Sequence, residues 1–515
     1  MTFEALAESV EEPFAWLVGR PQRSTYSVSG WLFLRILGLV YLIAFLSLWT
    51  QVQGLIGPGG ILPAQDFLNL LGHDFGAERF RLVPTVFWLG AGATALRVGC
   101  AAGALASVLL ILGLWPGGVL VILWWLYLSF VSVGQDFLQF QWDALLVETG
   151  LLAVLLAPGR LRTWRPTVEP SPIAVFLLWG LLFRLVFESG VVKLISGDPT
   201  WLHLTALDYH FFTQPLPTWT AWYANLVPEW LKRFAVLATL VVEIAAPILF
   251  FCGRRARLLG CATVAGLQFL ILATGNYTFF NLLTLALGIL LLDDQAWRRI
   301  LPVPLLRLTP AAPGSERPPA ARLATAVAAM PLLLLQLVSL TDAVLPGMPA
   351  PLPARRALAW LAPFASVNSY GLFRVMTTER PEIIIEGSED GRTWKAYEFR
   401  YKPGALDRRP QFVEPHQPRL DWQMWFAALG RFDRTAWLQA FMVRLLQGAP
   451  EVVALLASDP FAGHPPRYLR AVLYDYRFTG LAERRSTGRW WIRRELGPYS
   501  PTVTVTDTVR SSEQN

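Results

Sequence analysis

The sequence predicts a polytopic α-helical membrane bundle of about nine spans, within a range of 7 to 10, followed by an α+β domain outside the membrane. Hydrophobic residues make up 54% of the 515-residue chain and charged residues only 16%, as is typical of a membrane protein. Apolar stretches of about 20 residues, the length that crosses about 30 Å of hydrocarbon, recur as far as Pro346. Beyond it, short runs of alternating apolar and polar residues indicate strands and short helices.

Nine predicted spans are bounded by proline, glycine and charged residues. They are Gly30–Thr50, Val86–Leu112, Gly118–Val133, Phe137–Ala157, Ile173–Ile195, Leu231–Cys252, Leu258–Ala273, Asn276–Leu292 and Leu323–Leu345. Arg97 interrupts the second span, which leaves open a short re-entrant piece followed by a separate helix. The residues before the first span are acidic and polar, so we expect no cleavable signal peptide.

Arginine clusters predict the orientation of the bundle, because short loops rich in Lys and Arg stay in the cytoplasm. The clusters lie before the first span and after the fourth, sixth and eighth spans. Nine spans starting inside the cell place all of them in the cytoplasm. The predicted organisation is a cytoplasmic N-terminal segment (1–29), a membrane domain (30–300), a cytoplasmic linker (301–322), a last transmembrane helix (323–345), an extracytoplasmic α+β domain (346–503) and a disordered tail (504–515).

The last third of the chain has the pattern of an α+β domain. Glu382–Lys402 contains two strand-like runs joined by a turn, which predicts a β-hairpin. The spacing of apolar residues predicts helices over Asp421–Leu429 and Ala436–Gln447. Tyr468–Thr479 alternates apolar and polar residues, as a half-buried strand does, and an aromatic and basic segment, Arg489–Glu495, follows it.

Three ionisable residues lie within the fifth predicted span, in the run FRLVFESGVVKL. Ionisable groups in a bilayer are costly unless they pair or face a wet cavity, so they mark candidate sites. Arg184 and Glu188 are one helical turn apart, and we expect them to pair with each other. Lys193 lies about 140° from Glu188 around an ideal helix. Two roles are open for Lys193: a catalytic base, or an anchor that extends to the lipid headgroups.

Other predicted spans contain further charged residues that can neutralise one another. The predicted intramembrane polar network comprises Arg35, Asp143, Glu148, Arg184 and Glu243. Such a network would hold the bundle together by buried ion pairs.

The outer loop after the fifth span concentrates polar and aromatic residues. Asp198 and His210, in this loop, join Lys193 and Glu188 as candidate catalytic residues. The spacing of histidine and acidic residues here does not match a metal site, so we expect no bound metal.

Five aromatic residues of the C-terminal domain are candidates for a partner-binding surface. They are Trp422, Trp425, Phe426, Trp490 and Trp491. Exposed aromatic patches mark partner sites, whereas buried aromatic residues form a core. The sequence leaves both alternatives open.

Several long motifs carry a resemblance to a known family. They are Asn368–Gly404, Arg409–Leu429 and Leu473–Pro501 in the C-terminal domain, and FQWDALLVETG, SGVVKLISGDPTW and LDYHFFTQPLP in the membrane part. Over nearly its whole length the chain resembles the lipase maturation factor family, and its Arg- and Ala-rich, His-poor composition indicates a bacterial member. The resemblance implies an integral membrane protein that assists folding, maturation or assembly of secreted or envelope proteins such as lipases.

The resemblance also implies a location. Animal members lie in the endoplasmic reticulum membrane with the C-terminal domain in the lumen. The equivalent for a bacterial protein is the inner membrane, with this domain in the periplasm or outside the cell. The expected partners are membrane lipids and a secreted client protein such as a lipase. Scattered basic residues, in a chain of net charge +7, give no reason to expect nucleic acid.

A fainter resemblance implies an alternative function. The run SGVVKL, with the outer loop that follows it, is similar to the membrane domains of vitamin K-dependent γ-carboxylases and related (HTTM) proteins. In those enzymes the lysine that matches Lys193 deprotonates a reduced quinone. The alternative is therefore a membrane enzyme acting on a quinone or another lipid-soluble substrate. The leading hypothesis remains a maturation factor without catalysis or cofactor.

Overall fold

The computed structural model describes residues 3–19, 25–302, 317–345, 347–348, 350–461 and 464–504 of the chain. Helices make up the part up to residue 345, and a domain containing an antiparallel sheet follows. Most of the predicted cytoplasmic linker (303–316) and of the predicted disordered tail (505–515) lies outside the described residues.

The first part of the described chain consists of α-helices and their connections. In chain order the helices are α1 (Phe3–Leu17), α2 (Ser27–Trp49), α3 (Val52–Ile56), α4 (Ala64–Asp74), α5 (Arg79–Leu82), α6 (Ala93–Leu112), α7 (Pro116–Val133), α8 (Gln141–Leu156), α9 (Pro172–Ile195), α10 (Pro199–Leu202), α11 (Ala206–Thr213), α12 (Trp219–Asn225), α13 (Glu229–Leu249), α14 (Arg254–Thr274), α15 (Phe280–Ile289), α16 (Asp294–Ile300) and α17 (Pro319–Val344).

Within the described part of the chain, six helices are long and apolar enough to cross a membrane: α2, α6, α7, α9, α14 and α17. The other three predicted spans coincide with α8, α13 and α15. α8 and α15 have only 16 and 10 residues, and α13 carries Lys232, Arg233 and Glu243. In the second predicted span, Val86–Leu89 forms a separate short turn before α6, so the divided form left open above is the one present.

The bundle has two opposite ends, at which the long helices begin or end. At one of them, Arg254 at the start of α14 pairs with Asp293, which precedes α16. We call this the arginine end. It carries Arg160, Arg162, Arg165, Arg254, Arg255, Arg257, Arg298 and Arg299. At the other, the domain end, Gln51 Nε2 donates to the backbone oxygen of Gln417 in the C-terminal domain at 2.8 Å. The arginines of the arginine end thus lie away from the C-terminal domain, whereas Arg20 and Arg23, before the first span, lie outside the described residues.

The C-terminal domain is built on an antiparallel sheet. Its strands are β1 (Pro381–Ser388), β2 (Lys395–Ala396), β3 (Tyr468–Phe478), β4 (Trp491–Pro498) and β5 (Val503–Thr504), in the order β2-β1-β3-β4 with β5 also paired to β3. Its helices are α18 (Leu352–Leu361), α19 (Arg419–Ala428), α20 (Ala436–Leu446), α21 (Pro450–Val453) and α22 (Leu481–Thr487). The predicted hairpin, helices and long strand are confirmed. β2 is shorter than predicted, because only Lys395 and Ala396 pair with β1.

The helical bundle and the C-terminal domain share one hydrophobic core. Phe140 and Trp142, at the start of α8, pack against Trp422 of α19 with ring centroids 6.0 and 4.6 Å apart. Phe137 contacts Trp437 of α20 at 5.7 Å. Because buried aromatic rings contribute strongly to packing energy, this interface fixes the domain against the domain end of the bundle.

Candidate functional site

The charged residues of the fifth predicted span have different partners in α9. Arg184 Nη2 donates to Glu148 Oε1 of α8, and its Nη1 donates to the backbone oxygen of Asn368 at 2.8 Å. Glu188 instead accepts from the backbone nitrogen of Tyr370 at 2.8 Å. The predicted ion pair between Arg184 and Glu188 is therefore wrong, because a buried carboxylate on the neighbouring helix takes the guanidinium.

Glu148 is the centre of a buried cluster that ties the bundle to the segment before β1. Its Oε2 accepts from N and Nδ2 of Asn368, at 3.0 and 2.9 Å, and from Tyr370 OH at 2.8 Å. With Arg184, these donors compensate the loss of hydration that a buried carboxylate suffers. Sequence reasoning missed Asn368 and Tyr370, since 220 positions separate Asn368 from Glu148.

Asp143 of α8 forms a second buried ion pair, with Arg419 at the start of α19. Arg419 Nη1 lies 2.9 Å from Asp143 Oδ2, and Nη2 lies 2.8 Å from Oδ1. Tyr127 OH donates to the same Oδ1 at 2.5 Å. Only 1% of Arg419 is exposed. This forked, dry geometry is the strongest form of such a pair, and it joins the bundle to the C-terminal domain.

The predicted polar network does not form as a single cluster. Arg35 lies toward the arginine end, where its guanidinium donates to the backbone oxygen of Thr163 and, at 3.0 Å, to Thr163 Oγ1. Asp143 and Glu148 lie toward the domain end and bind other cations. The prediction that Arg35 joins these carboxylates is wrong, because Glu148 pairs with Arg184 and Asp143 pairs with Arg419, both far from Arg35 along the bundle.

Lys193 forms an ion pair with Glu243 of α13. Its Nζ donates to both carboxylate oxygens, at 2.8 and 2.7 Å, and to the backbone oxygen of Ser189 at 2.9 Å. Gly190 permits this approach, since a Cβ there would stand 2.8 Å from Glu243 Cβ. Lys193 is buried, so it is not an anchor at the headgroups. These bonds hold the ammonium in a buried ion pair, with an acceptor for each of its three protons.

A cavity of about 580 Å³ lies beside this ion pair. Residues of α9, α11, α13, α14 and α15 line it, and most of its wall is apolar. Lys193, His210, Glu243 and Tyr277 supply polar groups. An apolar pocket with a few convergent polar groups is the usual form of a small-molecule site.

Asp198, another candidate catalytic residue, has a structural role. Its Oδ1 accepts from Thr200 N at 2.8 Å and caps α10, and its Oδ2 accepts from Met376 N at 2.5 Å. His210 does lie near Lys193 in the cavity, with Nε2 3.3 Å from Tyr277 OH. Among the residues that the structure describes, no group of three or more His, Cys, Asp or Glu side chains could hold a metal ion.

Two partly buried histidines predict how stability depends on pH. Burial, with Lys193 nearby, lowers the pKa of His210 to about 4. Burial, with Arg419 and Arg400 nearby, lowers the pKa of His416 to about 4. Between the usual histidine pKa of about 6.5 and pH 4, the unfolded chain therefore binds more protons than the folded chain, and the folded state loses stability as pH falls.

We expect the thermal unfolding midpoint of the detergent-purified protein to fall when the pH is lowered from about 7 to about 5. The fall should be smaller in a variant carrying both His210→Gln and His416→Gln, because neither position then takes up a proton on unfolding. Differential scanning fluorimetry at constant ionic strength measures both midpoints. An equal fall in the two proteins would contradict this assignment.

Four of the five aromatic residues predicted as a partner surface are buried. The buried residues are Trp422, Trp425, Trp490 and Trp491, whereas Phe426 is 45% exposed. Trp425 Nε1 donates to the backbone oxygen of Thr213 in α11 at 2.8 Å, and Trp490 packs on Trp222 of α12 with centroids 5.6 Å apart. The prediction of an exposed patch is wrong for these four residues, because their rings fill the contacts between the domain, α8, α11 and α12.

Arg380 is a further buried charge that sequence reasoning missed. It donates to the backbone oxygens of Phe212 and Pro215, at 2.8 and 2.9 Å, and to Glu382 Oε1 at 2.6 Å. These bonds fasten the outer loop between α11 and α12 to the sheet. A single arginine directly before an apolar strand or helix, as here and at Arg419, is the signal that could have found both residues.

Two family models match the chain in consecutive parts. The lipase maturation factor transmembrane domain matches residues 28–299, and the lipase maturation factor C-terminal domain matches residues 366–501. No solved structure matches the chain significantly.

Curated relatives match over most of the chain. Lipase maturation factor 2 of Gallus gallus is 38% identical, over 92% of this chain and 81% of that protein. Lipase maturation factor 2 of Homo sapiens is 37% identical, over 92% and 82%. Lipase maturation factor 1 of Mus musculus is 32% identical, over 95% and 89%. The family resemblance carried by the sequence motifs is thus confirmed, and the chain belongs to the lipase maturation factor family.

Proposed function

We propose that this multi-pass membrane protein assists the maturation of a secreted or envelope protein, with lipases as the client class. The observation that carries the proposal is the extent of the similarity. Proteins named lipase maturation factors match more than nine-tenths of the chain, and the match includes both the bundle and the sheet domain. Because the match covers both parts, the proposal rests on similarity of the whole protein and not on the likeness of a single fold.

The proposal includes a topology of nine crossings, with the N-terminus in the cytoplasm and the C-terminal domain outside. The arginine end supports this orientation, since Lys and Arg accumulate on the cytoplasmic side. α8 and α15 are shorter than a bilayer is thick, but most of their residues are buried inside the bundle. Other parts of the protein then shield the backbone at the ends of α8 and α15 from lipid, so helices of this length are possible within the membrane. In a bacterium, the domain would lie on the periplasmic side of the inner membrane.

The proposed contact surface for the client is a small apolar patch at the C-terminal end of α19, which is otherwise buried. Phe426 is exposed there, and Leu429, three residues further on, is exposed beside it. The bonds of Asp143 with Arg419 and of Glu148 with Tyr370 hold the domain in one orientation on the bundle. A rigid support of this kind keeps an apolar contact patch at a fixed height above the membrane.

A direct test expresses the chain in cells that lack their own lipase maturation factors, together with a secreted lipase. We expect the secreted enzyme activity per unit of lipase antigen to rise. The variant Phe426→Ser should lower this ratio by about fivefold while its own membrane abundance stays normal, since truncating one interface contact typically costs about 1 kcal/mol.

The control for this test is Leu161→Ser, which replaces an exposed apolar residue at the arginine end. It should leave the ratio unchanged, because that end faces away from the client. No rise with the unmodified chain would overturn the maturation role. An equal loss with both variants would overturn the proposed client surface alone.

A further inference from the structure

The cavity beside Lys193 lies in a gap between α13 and α14. The two helices are close together near the arginine end, where a Cβ at Gly260 would stand 2.7 Å from the backbone oxygen of Ala246. Toward the domain end, α11 packs on α13 and α12 packs on α14. Asp208 of α11 pairs with Lys232 of α13 at 2.7 Å. α11 and α12 thus cover the gap at the domain end, and from there the gap extends between α13 and α14 toward the arginine end.

The mouth of the cavity opens sideways, to the outside of the bundle. Leu231 and Phe234 of α13, and Gly266 and Leu270 of α14, line the cavity and are themselves exposed. The exposed fractions of Phe234 and Leu270 are 62% and 66%. α14 is one of the helices long and apolar enough to cross a membrane. With α13 and α14 both crossing the bilayer, as proposed above, the exposed apolar rim would face lipid chains rather than water.

The polar groups inside the cavity carry no net charge. Lys193 and Glu243 neutralise each other, and the three ammonium protons already have acceptors. An additional anion would find no free donor on Lys193, and an additional cation would meet a carboxylate that is already paired. Charged headgroups therefore gain nothing here that offsets the loss of their hydration.

One buried acceptor in the cavity wall has no donor. Asn281 Nδ2 donates to Gln268 Oε1 at 2.9 Å, but Asn281 Oδ1 has no hydrogen-bond partner although Asn281 is buried. Both residues line the cavity. A buried acceptor without a donor is unfavourable, and a hydroxyl group of a bound molecule would supply the donor.

We propose that this cavity binds a neutral lipid with one long acyl chain and a hydroxyl-bearing head, such as a monoacylglycerol, which enters sideways from the membrane. The chain lies between α13 and α14, and the head reaches Asn281 and the Lys193–Glu243 pair. A volume of about 580 Å³ lies in the range that small-molecule sites occupy. The inference rests on the proposed placement of α13 and α14 in the bilayer and not on the identity of the client.

The test uses the purified full-length chain in detergent micelles and a monoacylglycerol with a photoreactive diazirine at the end of its chain. Two comparison probes have the same chain and diazirine, but an anionic carboxylate or a cationic trimethylammonium head. After irradiation, mass spectrometry maps the labelled peptides. We expect the neutral probe to label the cavity-lining peptides of α13 and α14 at least about fivefold more than either charged probe, a difference of about 1 kcal/mol. Excess unlabelled monoacylglycerol should abolish this labelling.

Two substitutions on facing walls of the cavity provide the matched variants. Gly266→Trp, at a position where a Cβ meets nothing within 4 Å, and Ala238→Trp should each fill the gap and lower the labelling to the level of the charged probes. Ala262→Trp, on the exposed face of α14 outside the cavity, is the control and should label as the unmodified chain does. Thermal unfolding midpoints verify that each variant is folded.

Equal labelling by all three probes would overturn the proposal, as would labelling that persists in both folded tryptophan variants. If both variants fail to fold, the competition by unlabelled monoacylglycerol decides: labelling that excess lipid does not reduce is non-specific and overturns the proposal. Lipase maturation by the Gly266→Trp variant is a separate measurement. Loss of labelling with normal maturation would confirm the lipid site and leave the proposed function intact.

Discussion

Replacing Arg419 with methionine is expected to lower the free energy of unfolding by about 3–5 kcal/mol, the cost of leaving one member of a buried ion pair without its partner. Methionine keeps the length of the side chain but removes the bonds to Asp143 and to the backbone oxygen of Phe137. Asp143 would then be fully buried next to no cation. The thermal unfolding midpoint and the abundance of the protein in membranes should both fall.

Two further variants test whether the unpaired carboxylate of Asp143 causes this loss of stability. Arg431→Met removes an exposed ion pair with Asp433 and should leave the thermal unfolding midpoint nearly unchanged, because water screens exposed charges. Adding Asp143→Leu to Arg419→Met should restore most of the loss, because an apolar pair of similar volume needs no compensation. If the double variant is no more stable than Arg419→Met, the loss comes from packing at α19 rather than from the unpaired carboxylate.

Lys193→Met is expected to have a similarly large effect, for the same physical reason. It leaves the carboxylate of Glu243 buried beside the cavity without the ammonium group that donates to both of its oxygens. We expect at least a severalfold loss of the protein from membranes and a lower unfolding midpoint, in line with a cost of about 3–5 kcal/mol. Quantitative immunoblotting of membrane fractions measures the abundance.

The double variant Lys193→Met, Glu243→Gln separates structure from chemistry. It removes both charges, so abundance should return close to that of the unmodified chain. If the lipase activity per unit of antigen returns as well, the pair is structural. If abundance returns but maturation does not, Lys193 or Glu243 has a chemical role, and the structural interpretation of the pair is contradicted.

Local sequence patterns were enough to predict the long helices and the main strands of this fold. Each of the nine apolar stretches contains an α-helix, because a run of apolar residues satisfies its backbone polar groups within a helix. The strand over Tyr468–Phe478 followed from the alternation of its residues, and the helix over Arg419–Ala428 from its apolar spacing. These properties depend on neighbours within a few residues along the chain.

The pairing of the charges could not be predicted in the same way. Arg184 and Glu188 are neighbours on α9, and local reasoning joins them. In the structure, Arg184 pairs with the buried carboxylate of Glu148, and the backbone nitrogen of Tyr370 donates to Glu188 instead. Hydrogen bonds and ion pairs are stronger in a buried site of low dielectric constant than in water. The buried contact of Arg184 with Glu148 on the neighbouring helix therefore forms in place of a contact with Glu188 along α9.

The aromatic residues show the same limit. Composition indicated that Trp422 and its neighbours exceed the needs of a small core, which left a core role and a surface role both open. The bundle supplies the missing partner, since Trp142 and Phe140 pack on Trp422. Whether an apolar side chain is exposed depends on what covers it, and here the cover comes from another part of the chain.

By itself, the sequence determined the class of protein, the order of its long helices and main strands, and its family. The tertiary structure alone decided which charges meet: Asp143 with Arg419 across 276 positions, Glu188 with Tyr370 across 182, and Lys193 with Glu243 across 50. The physical reason is that electrostatic and hydrogen-bond energies depend on distance in space and on burial. Both are set only when the helices and the sheet domain have packed together.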